Sequence, residues 1–145
     1  IYTCAAAPTR IHHSEKPKVW GVATTPQLTD ELKGYDLIQR GNLHIAGLNG
    51  ILLGVAKESG VEGICLLGEV SEYTTRIQNP MAALAILEVL PKMLDIEIDT
   101  SELAQLASET KERMKELAAQ AMGEYIDLFT EPIWEQGEEE EEEEE

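Results

Sequence analysis

The strongest constraint lies in residues 43–80, LHIAGLNGILLGVAKESGVEGICLLGEVSEYTTRIQNP. Residues 43–46 read as a strand. Gly47, Leu48, Asn49 and Gly50 read as a tight turn, and residues 51–58 as a helix closed by Ser59 and Gly60. Residues 63–67 form a second apolar run of strand length. Both runs are continuously apolar rather than alternating, the pattern of strands covered on both faces. Strand, glycine turn, helix and strand in that order predict a βαβ unit. The fold class that follows is α/β, a parallel or mostly parallel sheet flanked by helices.

The flanking chain fits that class. Ile1, Tyr2 and Thr3 look like the tail of a strand already under way, and Ile1 is not an initiator methionine. The expectation is a fragment of a longer protein, with a strand edge that another segment or subunit should cover. Residues 4–17 show no periodicity and read as a loop. Residues 18–24, KVWGVAT, read as a strand in which Gly21 permits close approach of a neighbour. Thr25 and Pro26 pair a hydroxyl N-cap with a proline at the first helical position, so a helix should run to about Lys33 and stop at Gly34. Gly41 and Asn42 signal a turn into the strand at Leu43.

Residues 68–78 read as a loop long enough to carry function. Asn79 and Pro80 repeat the cap-and-proline signal. The helix over residues 81–94 is apolar nearly all round, broken only by Glu88 and Lys92. A helix with so little polar face is buried on several sides, which in a small domain predicts a subunit interface. Pro91 should kink its last turn. Asp99 or Thr100 then caps a long helix to about Ala121, docked by a narrow seam of Leu103, Leu106, Met114, Leu117 and Ala121, with Glu109 and Arg113 paired on its wet face. Gly123 breaks the pattern. Tyr125, Phe129 and Trp134 follow, as a partner-binding peptide or as a segment docked on its own domain. Glu138–Glu145 is a pure glutamate run, expected to be a flexible, solvated acidic tail.

Charge and composition narrow the partners. Net charge is −17, and the tail supplies eight of those charges. The remaining body is still acidic and repels phosphate backbones, so nucleic acid is not an expected partner. No apolar run approaches the roughly 20 residues needed to span a bilayer, and no signal peptide is visible at the start. Cys4 and Cys65 are far apart in sequence, with Cys65 in an apolar strand. Reduced thiols in a cytoplasmic protein are the expectation.

Candidate chemistry is sparse. Gly47, Asn49, Gly50 and Gly54 could cradle an anion at a helix N-terminus. They match neither a Walker A loop nor a dinucleotide fingerprint. The plainer reading is a tight βα turn in which Gly54 permits close packing. Glu69 sits at a strand end, where α/β proteins place functional groups, with Glu72 three residues on. No matching nucleophile accompanies them, so no catalytic residue is assigned. His12, His13 and His44 lack ligand spacing with the cysteines, so no metal site is assigned.

Two longer stretches, HIAGLNGILLGVAKESGVEGICLLGEV and NPMAALAILEVLPKMLDIEID, resemble the PAC2 family of proteasome assembly chaperones in its archaeal form. The likeness covers roughly residues 19–106. It rests on the GLNG turn, the LLGE strand end, the Asn-Pro-x-Ala-Ala helix start and the leucine-rich helix before an Ile-Asp pair. The resemblance implies a phosphorylase-like α/β fold, homo-oligomerisation, and a non-enzymatic, ATP-independent, cofactor-free role in assembling proteasome α-subunits. It divides the chain into a PAC2-like domain over residues 1–122, lacking an N-terminal half, an aromatic segment over 123–137 and the glutamate tail over 138–145. The helix at 81–94 would serve self-association, and the C-terminal region would face the client. Some archaeal members end in a hydrophobic–Tyr–any-residue tripeptide that enters pockets of the proteasome α-ring. This sequence ends in Glu143, Glu144 and Glu145, which leaves docking to the body surface or the aromatic segment. The alternative is a phosphorylase-fold enzyme, or a binder of a phosphate-containing small molecule, using Gly47–Gly50 and Glu69. A blander possibility is an oligomeric scaffold without a client.

Overall fold

In a computed structural model of the chain, residues 1–12, 14–39 and 45–130 are described, with side chains as far as Glu124. The centre is strand β3, Ile64–Ser71, in which all eight residues are buried. Strand β1, Tyr2–Thr9, pairs with it in parallel, and β2, Val19–Ala23, pairs on the other side antiparallel. The order β1-β3-β2 makes a small mixed sheet with one parallel and one antiparallel pair, where the sequence pattern predicts a parallel or mostly parallel one; the α/β class with flanking helices holds.

The parallel partner of β3 also differs from expectation. Leu43 and His44 lie outside the described residues, and Ile45 and Ala46 are irregular rather than strand. The partner is instead β1, most of which the sequence pattern assigns to a loop. Alanine is depleted in strands and carries little packing signal. The run Ala5–Ala7 is extended because it lies in register with Leu67, Gly68 and Glu69 of an already buried strand. The Ile64 amide donates to the Ile1 carbonyl at 2.9 Å. In a parallel ladder this turns alternate residues of β1 toward β3 and leaves the backbone groups of Tyr2, Cys4, Ala6 and Pro8 facing the outer edge. Pro8 has no N–H to donate, and the outer side of an edge strand is where that omission is tolerated.

Helix starts follow the cap chemistry. The Thr25 hydroxyl accepts from the Leu28 amide at 3.3 Å at the head of α1, Pro26–Leu32. The Asn79 side-chain oxygen Oδ1 accepts from the Ala82 amide at 3.0 Å at the head of α3, Pro80–Leu94. Each such cap contributes about 1 kcal/mol. Between them α2 runs Leu48–Glu58, so Leu48, Asn49 and Gly50 form its first turn rather than the tight turn expected. Gly47 is the N-cap at φ +76°, a conformation open to glycine at little cost. The stretch expected to be loop from Gly68 is strand as far as Ser71, followed by a 3₁₀ turn at Glu72–Thr74. The final helix α4, Ser101–Thr130, passes straight through Gly123. A glycine costs about 1 kcal/mol in a helix interior, too little to end a helix of this length.

Two cores cover the sheet. Ile64 and Leu66 meet Leu28 and Leu32 of α1 and Ala85 and Ile86 of α3 on one face. Cys65 and Leu67 meet Leu53 of α2 and Ala7 on the other. Residues Ile1–Lys111 form one compact unit, and those from Glu112 a second.

Gly68 marks where α3 comes close to β3, since a Cβ there would lie 2.7 Å from the Ala82 carbonyl oxygen. Gly54 has nothing within 4 Å of the same position. Gly68→Ala should cost about 1–3 kcal/mol through overpacking of β3 against α3. Gly54→Ala should stabilise by about 0.5–1 kcal/mol through helix propensity. Urea titration of both variants reads the difference. Equal stabilities would show that α3 does not sit on β3 as described.

Candidate functional site

The sequence candidates fall into two separate local structures, each with a structural task. At the head of α2, the Ile45 carbonyl lies against Gly50, in the space that a side chain would occupy. The Asn49 side-chain amide donates to the Cys4 carbonyl at 3.2 Å. That bond ties α2 to the outer edge of β1 and engages a donor that would otherwise be available to a ligand. Gly54 leaves open space around it rather than receiving a packed neighbour, contrary to the close-packing reading.

Glu69 is 9% exposed. Its carboxylate accepts from the Lys18 amide at 2.9 Å, and its own amide donates to the Lys18 carbonyl at 2.9 Å. The side chain thus extends the β2–β3 ladder by one bond just beyond the start of β2. Glu72 lies in the 3₁₀ turn, half-exposed, with its carboxylate 3.6 Å from Arg10 Nε. The two glutamates therefore serve different partners. Among the described residues no group of three His, Cys, Asp or Glu side chains could hold a metal ion.

His12 is exposed, its Nδ1 2.7 Å from the Ser14 hydroxyl; His13 and His44 lie outside the described residues. Tyr125 and Phe129 occupy positions in α4, but their side chains, like all of Trp134, lie outside the described residues. Cys4 is exposed and Cys65 buried, and both are free thiols. Cys4 pairs in register with Leu66 and Cys65 with Thr3, so the two thiols point to opposite faces of the sheet. Burial pushes the Cys4 thiol above its ordinary pKa, with Cys65 adding to the shift. Burial also raises Cys65, against a smaller opposing effect of the Thr3 hydroxyl.

The feature that sequence reasoning missed is a cleft of about 450 Å³ beside β1. Cys4, Ala6 and Pro8 form its strand wall, and Ala82, Ala83 and Ile86 of α3 form the opposite one. Val70 and Ile77 close its end. The lining contains no carboxylate, amine or imidazole; its polar side chains are the Cys4 thiol, the Thr74 and Thr75 hydroxyls and the Asn79 amide, among mostly apolar neighbours. The outward backbone groups of β1 run along the same edge. Among the described residues no strand pairs with this edge, although Asn49 engages the Cys4 carbonyl. A strand edge beside an apolar cleft is suited to receive a protein segment, since the edge supplies main-chain bonds and the cleft takes side chains. The signal was present in the small, apolar composition of residues 4–8, but only β3 reveals it as strand. A second apolar surface is the outer stripe of α2, where Leu48, Ile51 and Val55 are 78%, 65% and 57% exposed.

The model of the PAC2 family matches residues 1–118. An uncharacterized protein of Methanocaldococcus jannaschii is 38% identical over 94 residues, covering 64% of this chain and 35% of the relative. The structure of PbaB from Pyrococcus furiosus, an archaeal proteasome activator, superposes with a TM-score of 0.70 at 30% identity, over 81% of this chain and 50% of that one. That of PbaA from the same organism, an archaeal homolog of proteasome-assembly chaperone, gives 0.67 at 25% identity, over 82% and 52%. The chain spans about half the length of these solved structures. Among the described residues no helix is long and apolar enough to cross a membrane.

Glu69→Gln keeps an acceptor for the Lys18 amide and should change stability by less than about 1 kcal/mol, whereas Glu69→Leu leaves that amide unpaired and should cost about 1–3 kcal/mol. Denaturant titration separates the two, and equal losses would show that the bond to Lys18 is not what Glu69 contributes. The raised thiols give a pH test. The thiolate is the nucleophile, so alkylation of Cys4 should keep accelerating with pH above the ordinary thiol value of about 8.5. Cys65 should react only on unfolding. Mass spectrometry of pulse-labelled protein reads both sites, and a Cys4 rate that levels off below the ordinary value would contradict the assigned burial.

Proposed function

Because the chain belongs to the PAC2 family, we propose that it is a non-enzymatic, ATP-independent proteasome assembly factor of the cytoplasm, binding proteasome α-subunits as a homo-oligomer. The observation that supports this reading is the uncharged cleft beside β1, whose outer edge pairs with no strand among the described residues. An assembling subunit exposes apolar surface and unpaired strand until its ring neighbours arrive, and both hazards are met by a partner with the same two features. The chaperone would hold that surface and then yield it to the correct neighbour. Its affinity need only exceed that of aggregation contacts and fall short of the final interface. The kinship to the phosphorylase fold belongs to the same reading, as a shared scaffold.

Self-association would use surfaces without charge. Copies carrying −17 each repel one another at a distance. At contact, within a screening length of about 8 Å, an uncharged apolar face can still win. The outward stripe of α2 offers one such face, and α3, where Leu84, Leu87 and Leu90 remain only partly buried, offers the other. The phosphate-binding alternative has less support, because Asn49 is engaged by Cys4 and Glu69 by Lys18.

The test is retention of purified proteasome α-subunits by the immobilised chain. The expected result is retention at micromolar concentration, weakened about tenfold by Ala6→Glu, which places a charge in the cleft, an effect of about 1.4 kcal/mol. Ala6 is exposed, so the melting temperature should not move. No retention at micromolar concentration, or an unchanged affinity in the variant, would count decisively against the cleft as the client surface.

A further inference from the structure

A second groove, of about 510 Å³, lies between the start of β2, the segment around Ile38 and α3. Its floor is apolar, with Val19 and Ala85 buried and Leu37, Ile38 and Val89 half-buried. Its rim carries more cations than anions, three against two. Lys16, Lys18 and Lys92 all line it, in a protein with only 11 lysines and arginines against 28 aspartates and glutamates. Lys16 is paired with Glu88 at 2.6 Å. The ammonium groups of Lys18 and Lys92 make no ion pair among the described residues. The remaining rim charge is the exposed carboxylate of Asp36.

We propose that this groove is a docking site for an acidic peptide segment of a partner protein, one whose apolar side chains enter the floor while its carboxylates meet Lys18 and Lys92. The charge pattern selects that occupant. A second, basic partner would be held better almost anywhere else on this acidic surface. A nucleic acid or phosphate cluster would bring dense negative charge against Glu88 and Asp36, and would leave the apolar floor without a partner. A peptide spaces its carboxylates several ångströms apart and interleaves them with side chains that the floor can bury. The lysine stems can themselves lie along the apolar wall while the ammonium groups reach the ligand. At physiological salt the screening length is about 8 Å, so the distant carboxylates that repel the peptide are damped more than the rim lysines that attract it. This inference is independent of the cleft beside β1, which has no cationic rim.

The experiment is fluorescence anisotropy with a fluorescein-labelled, glutamate-rich peptide carrying two leucines, titrated with the intact chain. The expected result is saturable binding, weakened about tenfold by the double variant Lys18→Glu/Lys92→Glu and partly restored in Lys18→Gln/Lys92→Gln. The control variant Lys33→Glu/Lys57→Glu changes net charge equally and lies outside the groove, so it should bind like the original chain. An all-glutamate peptide should bind more weakly, because it leaves the floor empty. The proposal is overturned if no saturable binding occurs, if both double-Glu variants weaken binding equally, or if the all-glutamate peptide binds as well. Displacement by inorganic polyphosphate at lower concentration than by unlabelled peptide would also overturn it, in favour of a phosphate site. Circular dichroism melts of each variant establish that the exposed substitutions leave the fold intact.

Discussion

Everything described depends on the complete burial of β3. A strand in the middle of a sheet has its backbone groups paired on both edges, and this one also has both faces covered. Burying Ile64, Leu66 and Leu67 contributes roughly 1.5–3 kcal/mol each. That contribution holds only if the covering layers come close. Gly68 provides the closeness on one face by letting the Ala82 carbonyl of α3 approach the strand backbone. On the other face Leu53 of α2 meets Cys65 and Leu67. Glu69 then shows how a charged residue is accommodated in such a strand. Its carboxylate is placed where the Lys18 amide has no other ladder partner, so an otherwise costly burial completes the β2–β3 pairing.

This dependence explains which parts of the fold were legible in the sequence. Cap chemistry is local, and the starts of α1 and α3 were readable because Thr25–Pro26 and Asn79–Pro80 act on the next three residues only. The burial of β3 was readable because a continuous apolar run needs two covered faces. Sheet direction was not. Whether a buried strand's neighbours run parallel or antiparallel depends on which distant segments reach it. Here those are an alanine-rich stretch with weak strand propensity and a strand whose direction nothing nearby encodes. The glycine-rich GLNG segment misled in the opposite sense. Only Gly47 adopts a turn conformation, while Gly50 serves close packing against Ile45 within the helix. Two glycines of similar appearance thus answer to different constraints, one of backbone angle and one of space. Gly123 answers to neither, and α4 carries it at ordinary propensity cost.

The two proposed surfaces were harder still to read, because neither is a motif. Asn49 and Glu69 drew attention as polar residues at a helix start and a strand end, which is where many α/β proteins bind ligands. In this chain both side chains complete backbone hydrogen bonding, Asn49 to the edge of β1 and Glu69 to the approach to β2. The strand wall of the cleft beside β1 is made of alanines, a proline and a cysteine, residues that form no recognisable motif in a sequence. Its interest comes from the lack of a charge in its lining and, among the described residues, of a strand beside β1, and both become visible only when the surrounding elements are in place.

The geometry of α3 ties the two grooves together. Helix α3 lies over this face of the sheet and has a groove on each side of it. Ala82 holds α3 against the centre through Gly68, and the margins differ in what they receive. On the β2 side α1 and the segment around Ile38 fill part of the gap, leaving a groove floored by Val19 and Ala85 and rimmed by lysines. On the β1 side no element of the described residues fills it, and the space stays apolar and open along the strand edge. The same seating of α3 that buries β3 thus produces two grooves of different chemistry on one face of the sheet. Loosening the contact at Gly68 would disturb both, whereas a charge change on either rim would alter one and leave the other intact. Under the two proposals an apolar segment and an acidic one would occupy separate surfaces, both shaped by the seating of one helix.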